Sequence, residues 1–120
     1  MILVDTNAWI RHLRTRDLRL SALLLQQQVH TCDVVVGELM LGSGLPGTFT
    51  TDLLALPRIP SPPAPETRAF IERHRTHLGG SGLGWAEAQI VLAALKSGAR
   101  LYSSDRAVRR ACRALRVPLS

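Results

Sequence analysis

Four carboxylates mark positions where this sequence could do chemistry: Asp5, Glu38, Glu87 and Asp105. Asp5 directly follows the apolar run Ile2-Leu3-Val4, and Asp105 follows Arg100-Leu101-Tyr102-Ser103. Glu38 lies inside Val34-Val35-Val36-Gly37-Glu38-Leu39-Met40. An acid in such surroundings is expensive to bury unpaired. Glu87 comes just after Gly84-Trp85. Gathered at one place, four such groups repel and raise one another's pKa. A divalent cation removes that repulsion, and all-oxygen donors select Mg²⁺ or Mn²⁺ over metals that favour soft ligands. Each acid also has a plainer use. Asp5 and Asp105 could be helix caps, Glu87 a first-turn charge on a helix dipole, and Glu38 the partner of an arginine.

The elements around these acids alternate between strand and helix patterns, which favours an α/β domain with a parallel sheet. Residues 2–4 form a short apolar run typical of a buried parallel strand. Asp5-Thr6-Asn7 can cap a helix carrying Trp9, Ile10 and Leu13. Helices are expected over 18–28 and 34–41, the second capped by Asp33, and again over 49–56, 66–77 and 85–97. Strands are expected over 29–32 and 100–103, with short strands near 58–60 and 117–119. A last helix begins at Ser104 or Asp105 and runs to about 115. Residues 42–47 read as a loop. In an open α/β sheet, ligands bind beyond the carboxyl ends of the strands, where Asp5 and Asp105 fall.

Other chemistries fit poorly. His12, His30, His74 and His77 form no Ser/His/Asp arrangement. His74 and His77 lack a third histidine or a cysteine pair nearby, as zinc would need. The glycines at 79, 80, 82 and 84 match neither G-x-G-x-x-G nor a P-loop. Cys32 and Cys112 are too few for a disulfide framework. A phosphotransfer receiver also sets acids beside Mg²⁺, but it needs a lysine near the sheet end, and the sole lysine, Lys96, is at a helix end.

Taken together, four motifs resemble the PIN-domain ribonucleases, specifically the VapC-type toxins of bacterial toxin–antitoxin pairs. They are Met1-Ile2-Leu3-Val4-Asp5-Thr6-Asn7-Ala8-Trp9-Ile10, Val36-Gly37-Glu38-Leu39, Gly82-Leu83-Gly84-Trp85-Ala86-Glu87-Ala88 and Leu101-Tyr102-Ser103-Ser104-Asp105. Their order and spacing match along essentially the whole chain. The resemblance implies one PIN domain over 1–120, with a three-layer α/β/α fold and a short central parallel sheet. It implies an endoribonuclease that binds Mg²⁺ or Mn²⁺ through Asp5, Glu38, Glu87 and Asp105 and leaves a 5′-phosphate and a 3′-hydroxyl. Thr6, Asn7 and Ser103 would lie beside the ligands; Thr6 fits a position commonly held by a small hydroxyl residue, and Ser103 one that is usually threonine. Glu87 is a departure, because the family usually has aspartate there. The longer arm puts the spacing of a two-metal site in question and keeps open a non-catalytic PIN-fold module that binds RNA or an antitoxin.

The resemblance further implies an antitoxin partner and often a homodimer, and the two cysteines fit a reduced cytoplasm best. The apolar helices over 18–28 and 34–41 are candidate contact surfaces, or else core. No apolar run reaches the ~20 residues that span a bilayer. The 15 basic residues, all arginine but Lys96, outnumber nine acids and give a net charge of +6. Arginine grips phosphate bidentately, so Arg11, Arg14, Arg106, Arg109 and Arg110, which follow the two strand-end aspartates, are candidate RNA contacts.

Overall fold

The computed structural model describes residues 1–42 and 44–120. Three strands, β1 (Ile2–Val4), β2 (Val29–His30) and β3 (Arg100–Tyr102), form one parallel sheet in the order β2-β1-β3. The register pairs Ile2 with Val29 on one side of β1 and with Arg100 on the other. Single parallel bridges, Thr31 to Arg58 and Leu101 to Leu119, extend the two edges. The expected strands at 58–60 and 117–119 therefore shrink to one bridge each. From β1 the chain first builds outward to β2, then returns to place β3 on the opposite side. That reversal opens a crevice at the carboxyl ends of β1 and β3.

Eight helices of the described residues surround the sheet: α1 (Thr6–Arg14), α2 (Leu18–Leu25), α3 (Asp33–Leu41), α4 (Phe49–Ala55), α5 (Ala64–Arg73), α6 (Arg75–Leu78), α7 (Trp85–Ser97) and α8 (Arg106–Leu115). The expected α/β/α architecture is present. β1 is buried along its whole length, because a central parallel strand is covered on both faces. Ile90, Val91, Leu92, Ala93 and Ala94 of α7 are buried with it. α3 packs against α1, α4 and α7, and α7 also meets α5, α8 and β3. These contacts bring the starts of α1, α7 and α8 and the middle of α3 to the same end of the sheet.

Several local expectations change. The helix over 18–28 stops at Leu25, since Gln27 adopts a left-handed φ of 57° that turns the chain into β2. Cys32, not Asp33, is the N-cap of α3, and it makes no side-chain cap bond. The Asp33 carboxylate instead pairs with Arg58 at 3.2 Å. The helix over 66–77 starts earlier, at Ala64, and divides at His74, whose φ of −111° and ψ of 27° leave the helical range. α7 ends as expected at Gly98, whose φ of 70° suits glycine alone without strain. Ser43, inside the expected loop 42–47, lies outside the described residues. Among the described residues no helix is long and apolar enough to cross a membrane.

Candidate active site

Asp5 is the best-defined of the four acids. Its backbone N–H donates to the Tyr102 carbonyl at 3.1 Å, which ties the end of β1 to the end of β3. Its side chain caps α1 by accepting the Ala8 N–H at 2.8 Å. The residue is only 3% exposed. Burial pushes its carboxyl up from 3.8 to about 6. Hydrogen bonds from Ser103 and Ala8 oppose the rise, and the charges of Asp105 and Glu87 add to it. Those last contributions place both acids close enough to Asp5 for mutual repulsion.

The two residues after Asp5 reach the other sides of the crevice. The Thr6 hydroxyl donates to Glu38 Oε1 at 2.6 Å, and Asn7 Nδ2 donates to Asp105 Oδ2 at 3.2 Å. The Ser103 hydroxyl accepts the Asp105 N–H at 3.1 Å. Asp105 Oδ1 caps α8 through the Val108 N–H at 3.0 Å. Three consecutive residues thus each touch a different part of the acid set. Successive side chains at a helix start project about 100° apart around the axis, so neighbouring residues reach different walls of the crevice.

Glu38 is half-buried on α3, while its neighbours Val35, Val36 and Leu39 are buried. It pairs with a hydroxyl rather than with an arginine. Glu87 is the third residue of α7. Its Oε2 lies 2.5 Å from where a Cβ on Gly84 would stand, so the carboxylate folds back over the helix start. Negative charge is favourable there. Asp5 and Asp105 each cap a helix from the end of a strand, so they are caps that also lie at the crevice. Among the described residues, no three of Asp, Glu, His and Cys converge closely enough to hold a metal as they stand. Glu38 is turned toward Thr6 and Glu87 toward Gly84. The donor set is nonetheless all oxygen. The buried Asp5 has no cationic side chain paired with it among the described residues, whose ion pairs join Arg58 to Asp33, Arg75 to Glu72 and Lys96 to Glu66. Hard oxygen donors around an uncompensated buried carboxylate fit Mg²⁺ or Mn²⁺.

The structure separates the candidate arginines. Arg11 and Arg109 line a cleft beside Asp5, and Arg109 Nη1 also donates to the Ser103 carbonyl at 3.0 Å. Arg14 lines a different cleft, shared with Glu38. Arg106 and Arg110 lie with Arg109 and Arg113 along α8. Sequence reasoning missed Arg19, Asp17 and Tyr102, which share the cleft with Arg11. Tyr102 Oη donates to Asp17 Oδ2 at 2.6 Å, across 85 residues of chain. Its place just before Ser103 on β3 was the available signal. On the candidate contact helices, Leu18, Leu25, Met40 and Leu41 are exposed, while Leu20, Val35, Val36 and Leu39 belong to the core.

Comparison with known proteins agrees with this geometry. The family model for the PIN domain matches residues 2–114. The chain is 40% identical over 114 residues to proteins named Ribonuclease VapC32 in two strains of Mycobacterium tuberculosis, CDC 1551 / Oshkosh and H37Rv. In both cases the match covers 93% of this chain and 90% of the relative. The fold is similar to that in the crystal structure of FitAcB from Neisseria gonorrhoeae, with a TM-score of 0.68 and 22% identity over 99% of this chain and 96% of that one. It is also similar to FitAB bound to an IR36 DNA fragment, with a TM-score of 0.67 and 22% identity over 100% of this chain and 94% of that one. Strand-end acids on a β2-β1-β3 sheet, a family match over nearly the whole length and close kinship to a named VapC place this chain in the PIN-domain family, among its VapC-type members.

Proposed function

We propose that this chain is the metal-dependent endoribonuclease toxin of a toxin–antitoxin pair, with Asp5, Glu38, Glu87 and Asp105 holding Mg²⁺ or Mn²⁺. The observation that carries the reading is the triplet Asp5-Thr6-Asn7. It sets a buried acid at the crevice and links it to Glu38 and Asp105 through the two adjacent side chains. The kinship to Ribonuclease VapC32 supplies RNA as the substrate class.

Bound there, the cation supplies positive charge at the phosphate and a water acidified toward neutral pH. The chain's own residues fix where this happens. Asp5 is held by the Ala8 N–H, which leaves its second carboxylate oxygen free for a ligand. Thr6 holds the Glu38 carboxylate, and Asn7 holds that of Asp105. Glu87 reaches the crevice only by leaving the start of α7, a swing its longer side chain allows. Arginines around the crevice would orient the RNA backbone through phosphate contacts, which carry no base information. A cognate antitoxin and a second copy of the chain are the expected protein partners, and the exposed Leu18, Leu25, Met40 and Leu41 are where they would bind.

The test compares cleavage of structured RNA in Mg²⁺ or Mn²⁺ by wild type, Asp5→Asn and Glu38→Gln. Wild type is expected to cut and both variants to lose at least 100-fold in rate, while keeping their circular dichroism. Equal cleavage by all three would overturn the proposal. Failure to bind divalent cations in a calorimetric titration would favour a non-catalytic PIN-fold module instead.

A further inference from the structure

Beside the carboxylates lies a cleft of about 350 Å³, lined among others by Ala8, Arg11, Asp17, Arg19, Tyr102 and Arg109. Its position follows from α1. Ala8 is one turn beyond Asp5 on the helix face that carries the cap bond, and Arg11 is one turn further. Ala8, which donates its N–H to Asp5, and Ser103, which follows the strand β3 paired with β1, both form its wall. The cleft therefore opens directly next to the buried acid.

Its charge is one-sided. Asp17 is the only acid in the wall, and its carboxylate is already engaged. Oδ1 accepts the N–H groups of Arg19 and Leu20 at 3.0 and 3.2 Å as the N-cap of α2, and Oδ2 accepts the Tyr102 hydroxyl at 2.6 Å. No arginine of the wall forms an ion pair among the described residues. Arg19 lies over the Tyr102 ring, with its guanidinium carbon 5.8 Å from the centroid. Stacking on an aromatic face leaves guanidinium N–H groups at the edge free to donate. Arg11 and Arg19 are exposed, and Arg109 is held by the Ser103 carbonyl. Three guanidiniums face the cleft against one carboxylate, which feels the charge of Arg11 without forming an ion pair and takes its hydrogen bonds from backbone and phenol donors.

We infer that this cleft is a backbone-phosphate subsite for the RNA strand flanking the scissile bond, with Arg11 and Arg19 as its phosphate contacts and the Tyr102–Asp17 pair holding Arg19 and the start of α2 in position. The inference takes its ligand from the ribonuclease reading. Its own content is the location: two phosphates gripped at this cleft rather than along Arg106, Arg110 and Arg113 of α8.

The experiment measures binding of a fluorescein-labelled 12-nucleotide single-stranded RNA, with 2′-O-methyl riboses to prevent cleavage, by anisotropy in EDTA over a salt series. Arg11→Ala/Arg19→Ala is compared with Arg68→Ala/Arg73→Ala, which removes the same charge from two exposed positions of α5. Each phosphate contact on a single strand contributes roughly 0.7 to the slope of log K against log salt. The cleft variant should bind at least 10-fold more weakly and lose about 1.4 from the slope. The control should lose less than half of either, and Arg11→Lys/Arg19→Lys should restore most of the slope. Equal losses in the two alanine pairs, or no binding by wild type, would overturn the inference. Cleft-dependent binding by a protein that does not cut RNA in Mg²⁺ would uphold the subsite and remove the catalytic reading. Cleavage without cleft dependence would do the reverse.

Discussion

Replacing Asp5 by asparagine should stabilise the metal-free protein near pH 7, although it destroys the proposed site. The side chain is buried, and its carboxyl is raised from 3.8 to about 6, chiefly by burial and further by the charges of Asp105 and Glu87. Between those two values the folded protein holds a proton that the unfolded chain has released. Stability therefore falls as pH rises through that window and is level above it. The displacement from 3.8 to about 6 corresponds to at most about 3 kcal/mol at pH 7. Asparagine keeps an oxygen for the Ala8 N–H and so preserves the cap of α1. It removes the charge that the crevice solvates poorly. Urea unfolding in EDTA should show Asp5→Asn more stable than wild type at pH 7, with the advantage shrinking toward zero at pH 4. In Mg²⁺ at 100 times its Kd, wild type alone should gain about 2.7 kcal/mol, which closes the gap. If Asp5 were only a helix cap, asparagine would be neutral or destabilising by a similar amount at both pH values. That result would refute the charge argument.

Further substitutions separate the roles of the other residues. Gly84→Ala leaves the backbone relaxed, since a φ of −83° suits any residue, but it drives the Glu87 carboxylate off the start of α7; calorimetry should show altered Mg²⁺ affinity with less than about 1 kcal/mol change in stability. Thr6→Val removes the donor to Glu38 and should cost about 1 kcal/mol in urea unfolding, while Thr6→Ser should restore both stability and Mg²⁺ affinity. Tyr102→Phe should cost about 1 kcal/mol and raise the Asp17 pKa, which burial pushes up but the hydrogen bonds from Tyr102, Leu20 and Arg19 hold below 3.8 in sum. Asp17 stabilises the fold above its unfolded pKa and loses that contribution as pH falls through the folded value. Tyr102→Phe should therefore narrow the stability gap between pH 5 and acid conditions, as monitored by circular dichroism.

The legibility of the sequence varied with the range of the interaction. Strand β1, the caps at Asp5 and Asp105 and the stop at Gly98 are local events. Each depends on a residue and its near neighbours, so residue type and order are enough. The break at His74 was not legible, because 66–77 keeps a helical pattern through it and the bend shows only in the backbone angles. Asp33 illustrates competition for a carboxylate: a cap was the local choice, but Arg58, 25 residues away, provides a charged partner once the sheet edge forms. Asp5, Asp105 and Glu87 could be nominated from their places at strand and helix ends, and Glu38 from its apolar surroundings. Their pairing with Thr6 and Asn7 depends on which way side chains project at the start of α1, and the place of Ser103 depends on how β3 runs into α8; no spacing rule gives either. The Tyr102–Asp17 bond joins positions far apart in the chain and has no sequence pattern at all.

The charge balance has a structural reason as well as a compositional one. With nine acids and 14 arginines, a chain could neutralise most of its acids by pairing. Here only Arg58 and Arg75 among the arginines form ion pairs within the described residues, which leaves 12 without one. The remaining acids largely take other donors. Asp5, Asp17 and Asp105 accept backbone N–H groups at helix starts, Glu38 accepts a threonine hydroxyl, and Glu87 lies against the start of α7. Backbone amides satisfy a carboxylate without cancelling a guanidinium, so both kinds of charge persist, separated in space. Surface ion pairs contribute little to stability, and forgoing them costs the fold little. What results is a field: carboxylates at one end of a three-stranded sheet, beside a cleft that carries Arg11, Arg19 and Arg109. A cleft lined by one sign of charge raises the local concentration of the opposite sign and speeds its arrival. The acids would suit a divalent cation and the arginines a polyphosphate, the two ligands that the proposed ribonuclease brings together.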